Sequence, residues 1–189
     1  QFQRNAGRAL LALTQSPQRA TVAENILDLG SGTAFLSNEL QQHFPAAKIV
    51  GLDLSFDMLA VAKAKGRGRY QVQADFESLP FKNSSFDLVF SNLALQWSDN
   101  FSLALDAVKD CLTDSGRLVI STLIEGSMEQ MKNAWSQADS AVHVNQFASE
   151  KTIKLSCESA GIQIRQWSVQ VHTEQFDSLQ ALLNSVKGI

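Results

Sequence analysis

Short apolar runs alternate with segments of helical periodicity along nearly the whole of this 189-residue chain. Such alternation is typical of parallel strands that are joined by crossover helices. Two of the runs, residues 88–90 and 118–120, are continuously apolar, as strands buried on both faces usually are. The sequence therefore predicts an α/β fold, a three-layer sandwich in which helices cover both faces of one sheet.

The same alternation gives the expected boundaries of the elements and the number of domains. The chain has no repeats, low-complexity tracts or linkers, so we expect a single domain over residues 1–189. Strands are predicted over residues 25–29, 48–52, 69–73, 86–91, 117–122 and 162–171, and helices over residues 2–13, 34–43, 56–65, 102–112, 128–139, 151–160 and 178–186.

Composition argues against several classes of function. A net charge of −3 and a pI near 5.6 lack the basic excess of a nucleic-acid-binding protein. No stretch approaches the roughly 18 uninterrupted apolar residues of a membrane span. Cys111 and Cys157 have no C-x-x-C spacing, and the three histidines match no metal-ligand pattern. We therefore expect a cytoplasmic monomer without nucleic acid, membrane or metal, in which both cysteines are packing residues.

Aspartates lie at the carboxyl ends of the first three predicted strands: Asp28, Asp53 and Asp75. In open α/β sheets, ligands bind outside the carboxyl ends of the strands, at the point where strand order reverses. Gly30 and Gly32 follow the first strand, and they let a ligand approach the backbone without obstruction by a Cβ atom. The sequence therefore predicts a ligand site at this edge of the sheet.

Three kinds of ligand suit a glycine-rich turn in this position. A nucleotide phosphate loop needs a lysine after its second glycine, and none is present here. A dinucleotide fingerprint has a small residue at the position of Phe35, so a bulky ring there counts against NAD, although Asp53 suits an NAD ribose equally well. S-adenosylmethionine (SAM) is cationic, and a carboxylate inside the glycine loop, Asp28, favours it.

The strand-end residues suggest how SAM is held. Asp53 can accept charge-assisted hydrogen bonds from the two ribose hydroxyls. Asp75 is expected near the adenine amino group, with Phe76 and Met58 as apolar walls for the ring.

Five successive motifs resemble those of the class I SAM-dependent methyltransferases. The chain departs from the commonest form of that family at Ala34, where a third glycine is usual. The resemblance implies a Rossmann-like sheet, SAM as cofactor and S-adenosylhomocysteine as product. The matching motifs are Asp28-x-Gly30-x-Gly32, Asp53, Ala74-Asp75, residues 86–89 and residues 112–118. The implied cofactor-binding residues are Asp28, Gly30, Gly32, Asp53, Leu54, Met58, Asp75, Phe76, Ser91 and Asn92.

A second set of motifs is similar to the malonyl-acyl-carrier-protein O-methyltransferases of biotin synthesis, the BioC family. The set comprises residues 91–97, 121–127, Trp135, residues 143–147 and 185–189. The resemblance implies methylation of the free carboxyl of a malonyl thioester carried by acyl carrier protein. It also implies an aromatic-containing segment before Gln1 and a final strand after Ile189, both missing from this chain, which we therefore expect to be truncated at both ends. Substrate contacts are expected at Leu93, Trp97, His143, Asn145 and Lys187, whereas Gln146 stands where the family is expected to have arginine.

Residues 91–97, after the fourth strand, contain no His, Asp, Glu or Lys. A carboxylate acceptor is ionised at neutral pH and needs no general base, so no catalytic residue is expected and positioning and desolvation suffice. Leu93, Leu95 and Trp97 can help to build the apolar pocket that such a reaction favours. Two alternatives remain: a methyltransferase for another small molecule, such as a quinone precursor, and a non-catalytic SAM-binding module.

Overall fold

The structure, a computed structural model, describes residues 2–15 and 23–186. Five parallel strands form one sheet in the order β3-β2-β1-β4-β5. The strands are β1 (Asn25–Leu29), β2 (Lys48–Asp53), β3 (Tyr70–Gln73), β4 (Phe86–Asn92) and β5 (Leu112–Ser121). The helices are α1 (Phe2–Ala12), which continues as a 3-10 turn (Leu13–Gln15), α2 (Phe35–His43), α3 (Phe56–Ala64), α4 (Phe101–Cys111), α5 (Glu129–Ser136), α6 (Glu150–Ser159) and α7 (Leu179–Val186).

Helices cover both faces of the sheet, which confirms the predicted three-layer α/β fold. Successive side chains of a strand point to opposite faces, and β1 shows this clearly. Ile26 packs into a cluster with Leu10 of α1 and Leu40 of α2. Leu27 packs on the other face, into a cluster that includes Leu105 of α4 and Ile153 of α6.

The order of the strands sets the position of a ligand crevice. The chain moves outward from β1 to β2 and β3, and then returns to add β4 on the other side of β1. The switch point therefore lies between the carboxyl ends of β1 and β4. The loops that follow these two strands, residues 30–34 and 93–97, face each other there.

The predicted boundaries agree with the observed ones within one residue, except at β5, α5 and residues 162–171. Helix α5 ends three residues before its predicted end. Strand β5 begins five residues early, because Leu112 already pairs with Phe86 before an irregularity in the ladder. Gly116 lies in this irregular stretch, where a Cβ would come within 3.0 Å of the Phe86 carbonyl oxygen.

The prediction of a strand over residues 162–171 is wrong for the described structure, in which this segment is assigned to no strand. The apolar alternation that suggested it is real, since Ile162 and Ile164 pack against the core cluster of Leu27. A strand also needs a neighbour to complete a ladder of hydrogen bonds, and this segment pairs with none of the five described strands. Towards its end, Val171 is 93% exposed.

Both cysteines lie in the core, as predicted. Cys111 on α4 and Cys157 on α6 are free and buried. Burial raises the pKa of each thiol, so both are poor nucleophiles. Among the helices of the described residues, none is long and apolar enough to cross a membrane.

Candidate cofactor and acceptor site

The glycine loop, residues 30–34, is held against the neighbouring strand. The backbone N–H groups of Gly30 and Ser31 both donate to the Leu52 carbonyl oxygen, at 2.8 and 2.9 Å. Gly30 (φ +72°) and Gly32 (φ +53°) take left-handed conformations. A Cβ at Gly30 would lie 2.2 Å from the Ala94 Cβ, whereas a Cβ at Gly32 would meet nothing within 4 Å. Gly30 thus packs against the loop after β4, and Gly32 leaves open space for a ligand.

Ala34 shows why a glycine is usual at the third position of this motif. It is fully buried and also left-handed, with φ +53°, immediately before α2. This conformation costs an L-residue roughly 1–2 kcal/mol. The loop therefore keeps its shape in this chain with a moderately strained alanine.

Phe35 does not act as the sequence suggested. Its ring was expected to crowd the contact between helix and strand, yet it is partly exposed and lies against the guanidinium groups of Arg4 and Arg8, 4.4 and 5.4 Å from its centroid. Helix–strand crowding at Phe35 is therefore not a valid argument against a dinucleotide.

Asp53 connects the glycine loop to the turn before α3. Its Oδ2 accepts a hydrogen bond from the Gly32 N–H at 2.7 Å, and its Oδ1 accepts one from the Ser55 N–H at 2.9 Å. Beside it, Leu54 and Met58 are 61% and 40% exposed. Large apolar side chains that face outward next to a carboxylate suit a ligand that combines a ribose with an aromatic base.

Asp28 lies beneath the loop rather than at its surface. It is 2% exposed and accepts a hydrogen bond from the Ser37 hydroxyl. Burial raises the pKa of Asp28 to about 6; the Ser37 hydrogen bond opposes this shift, and the negative charge of Asp53 adds to it. Asp28 was predicted to bind the cofactor, and its position leaves it little surface for direct contact. Its charge still acts on a ligand across the thin loop.

This buried carboxylate predicts a pH dependence of SAM binding. The pKa of Asp28 is higher in the folded than in the unfolded protein, so ionisation of this carboxyl destabilises the fold. The unfolding free energy of the ligand-free protein therefore falls as pH rises from about 4 to about 6. A cation above the loop favours the ionised form, so SAM affinity should rise roughly three- to tenfold between about pH 5 and 7. Calorimetry at several pH values measures this rise, and Asp28→Asn should flatten it. An equal rise in Asp28→Asn would contradict the assignment to Asp28.

The other predicted cofactor residues occupy the same edge of the sheet. Asp75 is exposed, and its Oδ1 accepts a hydrogen bond from the Glu77 N–H at 2.9 Å. Phe76 packs partly into the core cluster of Leu27. Ser91 is fully buried and donates to the Leu29 carbonyl oxygen, and the Asn92 amide donates to the Gln3 carbonyl oxygen of α1. The side chains of Ser91 and Asn92 therefore stabilise the fold, and their contact with a cofactor stays a prediction.

Three of the predicted substrate residues line one small cavity. Trp97, His143 and Asn145 come together there although Trp97 and His143 are 46 positions apart in the chain. The cavity has a volume of about 110 Å³, and Trp97, at the end of the 3-10 turn Leu95–Trp97, is 54% exposed. The remaining lining residues, which the sequence did not indicate, are Met128, Met131, Val144 and Phe147.

The two other predicted substrate residues do not join this cavity. Leu93 is 8% exposed, has a strained φ of +51°, and does not line the cavity. Its N–H donates to the Ser121 carbonyl oxygen at 3.0 Å, which places it over the end of β5. Leu93 therefore shapes the loop after β4, and its contact with the substrate stays a prediction. Lys187 lies outside the described residues.

His143 is fixed by two neighbours. Its Nε2 lies 2.8 Å from Asp139 Oδ1, and its ring stacks on Trp135 with centroids 4.0 Å apart. The sequence analysis did not indicate Asp139. An acid four residues before a histidine is the only signal for this hydrogen bond, and such a spacing is too common to be informative. No cluster of three or more metal-ligating side chains occurs in residues 2–15 and 23–186.

Comparison with known proteins identifies the family. Residues 27–120 match the profile described as "Methyltransferase domain". The chain is also 33% identical, over 189 residues and 100% of its length, to a protein of Pseudescherichia vulneris. The chain therefore belongs to the class I SAM-dependent methyltransferases. That relative, of which the chain covers 72%, is named malonyl-[acyl-carrier protein] O-methyltransferase. The chain is a SAM-dependent O-methyltransferase, with SAM as its methyl donor.

A further relative and two solved structures are also similar to this chain. A biotin biosynthesis bifunctional protein, BioHC, of Saccharophagus degradans is 32% identical over 88% of this chain and 31% of its own length. The YcgJ protein of Bacillus subtilis has a TM-score of 0.64 at 20% identity, over 81% of this chain and 68% of that protein. A phosphoethanolamine N-methyltransferase 2 of Haemonchus contortus, solved with SAM, has a TM-score of 0.64 at 19% identity, over 82% and 36%. These two structures support the fold.

The residues present fit SAM. Gly32 offers an open backbone, Asp53 a half-buried carboxylate, and Leu54 and Met58 exposed apolar surface. The Ser31 hydroxyl is buried against Gly51 of β2 and has no hydrogen-bond partner within the described part of the chain.

Proposed function

We propose that this enzyme transfers the methyl group of SAM to the free carboxyl of a malonyl thioester on acyl carrier protein, an early step of biotin synthesis. The observation that carries the proposal is the small cavity between Trp97 and His143, whose lining combines apolar side chains with an imidazole and an amide. Relatives that are 31–33% identical over the whole chain, and that are named for this reaction, support it.

The chain's residues contribute positioning, charge and the exclusion of water. When bound, SAM supplies a methyl group on a positively charged sulfur. Gly32 and Asp53 would hold the nucleoside end, and the negative charge of Asp28 beneath the loop would favour a cation above it. Trp97 and the methionines of the cavity would limit the access of water to the acceptor carboxylate, and a drier surrounding favours a reaction in which a carboxylate and a sulfonium lose their charges. No proton has to move, because the acceptor is already ionised.

Transfer of labelled methyl from SAM to malonyl-acyl carrier protein tests the proposal. We expect a base-labile methyl ester on the carrier, and absence of label would refute the malonyl acceptor. Trp97→Ala should raise the KM for the carrier substrate about tenfold and leave the SAM Kd unchanged, because it removes one wall of the cavity. Leu155→Ala is the matched control, since Leu155 is similarly exposed (51%) but lies on α6. Equal KM values in the two variants would remove Trp97 from the acceptor site.

One observation favours a second candidate, methylation of a hydroxyl on another small molecule such as a quinone precursor. An imidazole held by a carboxylate, as His143 is by Asp139, is also the arrangement of a general base. A hydroxyl acceptor needs such a base, whereas a carboxylate does not. The labelled-SAM assay with phenolic acceptors tests this candidate. Tight SAM binding without transfer to any acceptor would instead support a non-catalytic module.

The proposed partner is the carrier protein alone. Independence from nucleic acid and membranes, a monomeric state and a cytoplasmic location stay predictions from composition. The single-domain organisation of residues 1–189 is likewise a prediction.

A further inference from the structure

The His143 side chain is constrained more strongly than a residue that merely fills a cavity wall. Asp139 lies four residues earlier in the chain, and its carboxylate contacts Nε2 at 2.8 Å. Trp135 of α5 lies four residues before Asp139, and its indole stacks on the imidazole at an interplanar angle of 19°. The two contacts fix both the plane of the ring and its rotation within that plane.

The carboxylate of Asp139 is itself held in place. Its Oδ1 accepts a hydrogen bond from the Ala141 N–H at 2.8 Å. This hydrogen bond and the one from His143 keep the pKa of Asp139 below its usual range, so Asp139 is an anion at neutral pH. A carboxylate only accepts hydrogen bonds, so the Nε2 of His143 carries the proton that they share. Nδ1, the other ring nitrogen, makes no hydrogen bond within the described part of the chain.

The other side chains that line the cavity are uncharged. They are aromatic, aliphatic, thioether or amide groups: Trp97, Met128, Met131, Val144, Asn145 and Phe147. His143 is therefore the only lining residue of the described cavity that can become cationic. A negative charge on an acceptor in this cavity has one side chain with which it can pair.

We propose that Asp139 and Trp135 are positioning residues that orient His143, whose ring binds the anionic end of the acceptor through Nδ1–H, as an imidazolium in that complex. The inference rests on the proposed malonyl acceptor and names the group that recognises its free carboxylate. One carboxylate oxygen accepts from Nδ1. The other is left to form the ester bond, while the methyl–sulfur bond breaks and S-adenosylhomocysteine leaves with the sulfur's electron pair. The Asp139 charge compensates the imidazolium, which lies at the wall of an otherwise uncharged cavity.

This role has a kinetic signature. An imidazolium pairs more strongly with the acceptor carboxylate than with the transition state, in which that negative charge is being neutralised. Loss of the pair should therefore raise KM without lowering kcat. A general base at the same position would produce the opposite result, since its loss lowers kcat. The methyl ester product no longer carries this negative charge, so its binding should not depend on an ion pair with His143.

Two variants and one control provide the test. Asp139→Asn keeps an oxygen for the Ala141 N–H but removes the charge, and His143→Phe keeps a ring against Trp135 but removes the hydrogen bonds. Glu129→Gln removes one negative charge from exposed surface on α5 and serves as the control. The measurements are KM and kcat with malonyl-acyl carrier protein, and the inhibition constant of its methyl ester product.

Both variants should raise KM about tenfold, with kcat and product inhibition within about twofold of the unchanged protein. Glu129→Gln should change none of these. An equal loss of affinity for substrate and product, or a lowered kcat at unchanged KM, would overturn the inference. If the unchanged protein transfers no methyl to malonyl carrier, the proposed acceptor fails and the inference with it. If it does transfer methyl and the KM of both variants is unaltered, the inference alone fails.

Discussion

We expect the Asp53→Ala variant to bind SAM more than about tenfold less tightly than the unchanged protein. The carboxylate lies at the carboxyl end of β2, where it can accept hydrogen bonds from ribose hydroxyls, and such charge-assisted contacts are individually strong. It also holds the Gly32 N–H at 2.7 Å, so the substitution loosens the backbone that faces the ligand. Isothermal titration calorimetry with SAM measures the change.

The control for this variant is a neighbouring acid. Asp57 in the first turn of α3 is exposed, and Asp57→Ala removes the same charge four residues away. It should bind SAM within about twofold of the unchanged protein, since exposed charges are well screened. Thermal unfolding without ligand then separates weakened binding from a loosened fold. Unaltered SAM affinity in Asp53→Ala would remove Asp53 from the cofactor site.

The second large effect is expected at Gly30. Gly30→Ala places a Cβ 2.2 Å from the Ala94 Cβ, in a residue whose φ is +72°. The steric overlap and the left-handed backbone together should lower the unfolding free energy by about 2–5 kcal/mol. Denaturant unfolding measures the loss. SAM binding should fall as well, because relief of the overlap separates the loops after β1 and β4.

Two further variants show where the strain arises. Gly32→Ala has a similar backbone conformation but meets nothing within 4 Å, so it should cost only about 1–2 kcal/mol of stability. Adding Ala94→Gly to Gly30→Ala removes the opposing methyl group and should recover the steric part of the loss. No recovery in the double variant would show that Gly30 and Ala94 are not in contact.

The fold was predictable because its signals are local and repeated. Each crossover helix and each buried strand has its own periodicity in the sequence. The common position of the strand-end aspartates was also predictable, because parallel strands have their carboxyl ends at the same edge of the sheet. The strand predicted over residues 162–171 is wrong because its signal is local only. Their alternation is local, whereas pairing depends on a neighbour that the pattern does not contain.

The site was predictable in composition but less so in arrangement. Sequence placed Asp28 in the cofactor loop, and only the three-dimensional structure shows that it is buried beneath that loop, with its pKa raised to about 6. The sequence also could not show that Phe35 turns towards Arg4, or that Asp139 and Trp135 fix His143. These contacts depend on side-chain direction and on how distant segments meet, which one-dimensional spacing does not specify.

A crystal structure of the protein with S-adenosylhomocysteine and a malonyl carrier analogue tests both sites most directly. We expect the ribose hydroxyls to lie within hydrogen-bond distance of Asp53, with the ligand against the open face of Gly32. We also expect the malonyl carboxylate to face His143 in the cavity beside Trp97. A nucleoside bound away from residues 30–34 would contradict the cofactor site, and a malonyl group outside the cavity would contradict the proposed acceptor site.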